Sequence, residues 1–220
     1  MRGDSRSDQI RVAEVIGALC LATDLGVGLP FEHGLQSTVV AMRLAERMGV
    51  DRATVEQAYY GCLLFYAGCT ADADMQAELF AEGALLDRWL PVMFGSAREN
   101  AGGILRALAA GDGVWPRRAL RAVGKFPTAV AGHRSHVAAL CEVAQMLGGR
   151  LGLPDSVSGP LVHLTERWDG KGPLRRLRGE QIPLAVRIVH VARDAALHLL
   201  LGDADHVAAV IGGRSGGAFD

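Results

Sequence analysis

Between His163 and Pro183 the chain reads HLTERWDGKGPLRRLRGEQIP, a stretch crowded with groups able to do chemistry. Glu166 and Asp169 bring carboxylates, Lys171 an ammonium, and Arg167, Arg175, Arg176 and Arg178 guanidinium groups. A guanidinium holds phosphate oxygens in a bidentate fork, so these residues can form a phosphate-binding rim. They can equally cap the preceding helix, brace a glycine-rich turn and tie it to the next helix through Glu180 and Arg187. Trp168 is then a packing residue. Metal-ligating types also occur elsewhere, at His33, Asp72, Asp74, His133, His136, His163 and Asp194. Each has an ordinary use as well: acids cap helices, and histidines hydrogen-bond within them.

The 220 residues, half of them hydrophobic, are enough for one large core, which excludes a disordered protein. A formal charge of -1 exerts no general pull on nucleic acid. Cys20, Cys62, Cys69 and Cys141 form no CxxC pair and follow no secretory leader, so reduced, mostly buried thiols are expected. No apolar run approaches the roughly 20 residues of a bilayer span, and a soluble cytoplasmic protein is expected.

The elements that must hold these groups read as helices throughout. Apolar residues fall at helical spacing over Ser7 to Asp24, Phe31 to Met48 with Gly49 as C-cap, and Asp51 to about Tyr66. From Leu85 to Val130, Pro91, Gly102, Gly103, Pro116 and Pro127 predict short, irregular pieces. Periodicity resumes over His133 to Leu151, Asp155 to Trp168 and Leu184 to Leu201. No period-two alternation marks a strand, so the fold class is all-α. LAERMGVDRATVEQAYYG from Leu44 can be laid without gaps on LGGRLGLPDSVSGPLVHL from Leu147, with His33 falling on His136. If that echo is a true repeat, the two histidines face a common centre.

ERWDGKG followed by RLRGEQIPLAVRIVHVA resembles the signature of the HD-GYP subgroup of HD-domain phosphohydrolases, all-helical bacterial metalloenzymes that hydrolyse cyclic di-GMP. Glu166, Asp169, Gly170, Gly172, Gly179, Glu180, Ile182, Pro183, Arg187 and Ile188 carry the match. His33 takes the place of the family's opening histidine. The resemblance implies an HD-domain-like helical bundle: 1–28 an N-terminal helix packed on it, 29–212 the HD-GYP-like domain, and 213–220 a Gly-rich tail or linker.

The departures fall where the resemblance implies a metal that activates water. Phe65 and Tyr66 stand where the family has its His-Asp pair, Leu164 and Thr165 where it has paired histidines, and Arg193 where it has an acid. Neither a phenyl ring nor a neutral phenol is a ligand for a hard metal. His163 is displaced by one position, about a quarter turn of a helix. In place of GYP, Gly172 is followed by Pro173 and Leu174.

The resulting expectation is a non-catalytic sensory or regulatory module with no cofactor. It resembles the N-terminal parts of some bacterial LuxR-type transcription regulators, and so implies a DNA-binding or other effector domain beyond Asp220. One alternative is a metal-dependent phosphohydrolase with a rearranged iron, manganese or zinc site drawn from His33, Asp72, Asp74 and His136. Another is a small-molecule effector site at Phe65, Tyr66, Leu164, Glu166, Asp169, Lys171 and Arg187. A homodimer through the apolar Leu184 to Leu201 helix is expected, and no membrane partner.

Overall fold

In the computed structural model, the residues described are 11–69, 88–110, 113–174 and 176–220, the side chains of His133 and Arg134 apart. They form α1 (Val12–Gly26), α2 (His33–Met48), α3 (Arg52–Leu64), α4 (Ala97–Leu108), α5 (Trp115–Arg150), the single turn α6 (Asp155–Ser158), α7 (Leu184–Leu199) and α8 (Ala204–Arg214). Short 3-10 turns lie at Leu90–Val92, Gly159–His163 and Gly179–Gln181. Among the described residues there is no strand, only one isolated bridge between Ser215 and Phe219.

Local chemistry sets most of the helix ends. Gly49, with φ 63°, closes α2, and the Asp51 carboxylate starts α3 by accepting from the Thr54 N–H at 3.0 Å. Ser96 and Glu99 form a capping box at α4, and Asp203 accepts from the His206 N–H at α8. The N-cap of α1 is Arg11, paired with Glu14; the Ser/Asp-rich start expected for that role lies outside the described residues.

Two expected elements come out differently. The segment predicted to be chopped holds the first half of α5, a 36-residue helix that begins at Trp115, has Pro116 in its first turn and runs through Pro127 into the helix expected over His133 to Leu151. An interior proline costs about 3 kcal/mol. Burial of Ala122, Ala129, Val137, Leu140 and Cys141 along the same helix offsets it. The helix expected over Asp155 to Trp168 stops after one turn. Pro160 has no N–H to continue the α ladder, and the chain tightens into 3-10 geometry as far as His163.

The helix expected over Leu184 to Leu201 is α7. It is the central helix, packed on α2, α3 and α8, and buried over most of its length from Ala185 to His198. Its apolar side chains already face the core of their own chain, and only Leu199 to Leu201 at its end are exposed.

α5 lies against α4, α6 and the Gly159–His163 turn. Where α5 passes the end of α3, a Cβ at Gly68 would sit 2.4 Å from Leu140 Cα, so this crossing requires glycine. The Gly-rich stretch expected as a tail or linker is docked. Trp168 and Asp169 donate their N–H groups to the carbonyls of Ala218 and Gly217 at 3.0 and 2.8 Å, and Ala218 and Phe219 are buried.

Candidate functional site

After α3, the N–H groups of Phe65, Ala67 and Cys69 bond back three residues to Cys62, Leu64 and Tyr66, a tight turn in which Phe65 and Tyr66 are buried. Facing it from the middle of α7 is Arg193, with 0% of its surface exposed. Its guanidinium carbon lies 4.9 Å from the Phe65 ring centroid, 5.2 Å from that of Tyr66 and 5.4 Å from that of Phe94. Aromatic faces attract a cation through their quadrupole, most strongly where water is excluded. Nε donates to the Tyr66 hydroxyl at 2.7 Å. Nη1 and Nη2 have no hydrogen-bond partner among the described residues, and Nη1 lies 4.0 Å from Asp194 Oδ1.

His33, the first residue of α2, is fully buried with its ring centroid 6.1 Å from that of Tyr66. Burial, aided by the Arg193 charge, pulls its pKa down to about 4, so the imidazole is neutral at pH 7. Neither ring nitrogen has a hydrogen-bond partner among the described residues. Burial also pushes the Tyr66 phenol up to about 12, against the lowering effect of Arg193, which keeps the hydroxyl protonated.

The other candidate ligands are dispersed. Asp194 pairs with Arg214 of α8, which also donates to the Pro91 carbonyl. His136 is buried on α5, whereas α2, which carries His33, packs on α3 and α7. His163 lies in the 3-10 turn, its pKa lowered by burial. Leu164 is fully buried in the core. Asp72 and Asp74 lie outside the described residues, as does the His133 side chain.

The HD-GYP resemblance implies a metal at this centre. The residues described here do not fit one. No group of three or more His, Cys, Asp or Glu side chains among them could hold a metal ion. A fixed guanidinium occupies the position, and the nearby carboxylate is already paired.

The ERWDGKG loop is held by contacts within itself and to Phe94 and Gly95, although Glu166 Oε2 has no hydrogen-bond partner among the described residues. Arg167 forks onto Asp169 at 3.1 and 3.0 Å and donates to the carbonyls of Phe94 and Gly95, both at 2.7 Å. Asp169 also accepts from the Lys171 N–H at 2.9 Å. Glu166 is fully buried, one oxygen accepting from the Arg176 N–H at 3.1 Å, and burial raises its pKa. Arg187 lies over the Trp168 ring and pairs with Asp220 at 2.6 Å. These contacts brace the loop against its neighbours. Beside the loop is a cleft of about 550 Å³ walled by Phe94, Ile104 and Phe126, with Asn100, Thr165 and Lys171 among its polar residues.

Sequence reasoning marked Arg193 only as a lost acid, whereas it is the residue around which the centre is built. Phe94 and His190, whose rings lie 5.0 Å apart, were not singled out at all. A charged pair, Arg193–Asp194, within the apolar run LAVRIVHVARDAALHLL was the available signal for Arg193. Nothing local marked Phe94.

The fold is an all-α, HD-domain-like helical architecture. No protein-family model matches the chain. It is 22% identical over 209 residues to 3'3'-cGAMP-specific phosphodiesterase 3 of Vibrio cholerae serotype O1, covering 95% of this chain and 45% of that protein. A crystal structure of cyclic GMP-AMP specific phosphodiesterases of V. cholerae shares the fold, with a TM-score of 0.66, 19% identity and coverage of 95% and 46%. The chain therefore spans less than half the length of the proteins it matches. These likenesses speak for a phosphohydrolase-like domain, the reading placed second from the sequence, more than for a purely regulatory module. Among the described residues no helix is long and apolar enough to cross a membrane.

Proposed function

We propose that the chain is a cyclic-dinucleotide phosphodiesterase-like domain that engages its ligand without metal-borne hydrolysis at the centre described above. The dinucleotide class is supported by the likeness to 3'3'-cGAMP-specific phosphodiesterase 3 over 95% of this chain. The non-hydrolytic part rests on one observation: Arg193, caged by Phe65, Tyr66 and Phe94, fills the place where the HD-GYP resemblance puts a metal ligand. A domain of this kind binds, and reports occupancy to whatever it is joined to.

A second reading is catalytic, and the comparisons favour it, because both matched proteins are described as phosphodiesterases. It requires a rearranged site that adds Asp72 and Asp74 to His33.

Calorimetry with 3'3'-cGAMP and with cyclic di-GMP, alongside chromatography for linear products in the presence of Mn²⁺, tests both readings. Saturable binding without product is the expected result. Product formation abolished by Asp72→Ala establishes the catalytic reading, and neither binding nor turnover removes the dinucleotide assignment altogether.

A further inference from the structure

We infer that Arg193 is a resident cation: its guanidinium supplies, from within the chain, the positive charge that a bound metal would supply, and the centre is closed to metal for that reason. The comparison with a metal centre rests on the phosphohydrolase-like reading, but the test below uses no nucleotide.

The five positions that the HD-GYP resemblance marks as lost ligands, Phe65, Tyr66, Leu164, Thr165 and Arg193, are all buried. Phe65, Tyr66 and Leu164 are buried in one core, and Arg193 meets the first two directly. Three aromatic rings, from the end of α3 and from Phe94, turn towards the guanidinium, and the Tyr66 hydroxyl accepts from Nε. Phenyl and phenol faces are poor metal ligands but good neighbours for a planar, weakly hydrated cation. The replacements are thus chemically matched to an arginine.

Charge completes the argument. Asp194 has one oxygen on Arg214 and the other 4.0 Å from Arg193 Nη1, so one carboxylate lies between two guanidinium groups. Among the described residues the carboxylate beside Arg193 is thus already matched by positive charge, and a second cation would be repelled across a water-poor interior. Packing alone does not account for an arginine here. A side chain with two amino groups lacking hydrogen-bond partners among the described residues is costly to bury, and an apolar one would fill the space more cheaply.

Chemical rescue separates charge from shape. Arg193→Ala is expected to lower Tm or abolish the cooperative transition. Methylguanidinium at low millimolar concentration restores it, while methylurea, uncharged and of similar shape, does not. Equal rescue by methylurea, or none by methylguanidinium, overturns the inference. As a second arm, Phe65→His/Tyr66→Asp/Arg193→Asp removes the resident cation and returns acids and imidazole to the cage. The variant is expected to bind Mn²⁺ at least about tenfold more tightly than the parent chain, read by calorimetry. A folded variant with no gain in Mn²⁺ affinity overturns the inference as well. Either result stands whether or not the protein binds a cyclic dinucleotide.

Discussion

The Nε of Arg193 donates to the hydroxyl of Tyr66 at 2.7 Å, joining residues 127 positions apart, both closed off from solvent. This bond ties the turn after α3 to the central helix. Tyr66→Phe keeps the ring and removes the acceptor, leaving Nε as a third unpaired donor. A buried polar group left unpaired costs about 1–3 kcal/mol, more when charged. Equilibrium denaturation is expected to show a loss in that range or above, and an unchanged midpoint would mean that the bond contributes nothing.

His33 and His190 both have folded pKa values near 4, chiefly from burial, against an ordinary value near 6.5. Between those pH values the unfolded chain binds more protons than the folded one, so stability is full above about pH 6.5 and falls as pH drops towards 4. Each histidine contributes a slope of up to about 1.4 kcal/mol per pH unit. Buried Glu166 and Asp24, whose pKa values are raised by burial, act with the opposite sign near the carboxylate range. Unfolding midpoints are therefore expected to fall from pH 7 to 5. His163 and His198, also lowered by burial, act in the same sense, so His33→Leu is expected to show a smaller fall, reduced by less than half. A fall of equal size in the variant would contradict the assignment.

How much of this was legible beforehand depended on whether the signal was local. Gly49 and Asp51 mark the α2–α3 turn by their own backbone chemistry, and both ends were read correctly. Pro127 misled in one direction and Pro160 in the other. The first sits in a helix held by distant packing, while the second ends a helix whose short apolar stretch continued the periodicity. The altered cage residues could be named from the resemblance. That they close around Arg193 depends on α3, α7 and Phe94 meeting in space, which no window of sequence contains.

Docking of the chain end predicts a thermodynamic role for it. Phe219 is 3% exposed and packs 5.6 Å from Phe94, one of the rings over Arg193. Phe219→Ala is expected to cost about 3–5 kcal/mol, the usual range for a buried phenylalanine. Hydrogen exchange at Trp168 and Asp169, whose N–H groups bond Ala218 and Gly217, is expected to quicken with it. Retention of both stability and protection would show that the end is not part of the core.

The crossing of α5 over the end of α3 gives a backbone test. Gly68→Ala places a Cβ 2.4 Å from Leu140 Cα and 2.6 Å from its carbonyl oxygen, neither of which can rotate away. A loss of about 1–3 kcal/mol is expected, typical of overpacking. A neutral substitution would mean that the two segments are less tightly apposed.

The most direct test of the account is the metal content of the full chain. The protein is purified after exposure to Mn²⁺, Fe²⁺ and Zn²⁺, desalted, and analysed by mass spectrometry alongside its Tm before and after chelation. The account predicts far less than one metal ion per chain and a Tm unmoved by the chelator. One retained ion per chain, lost on chelation with a fall in Tm, would contradict a centre held by Arg193.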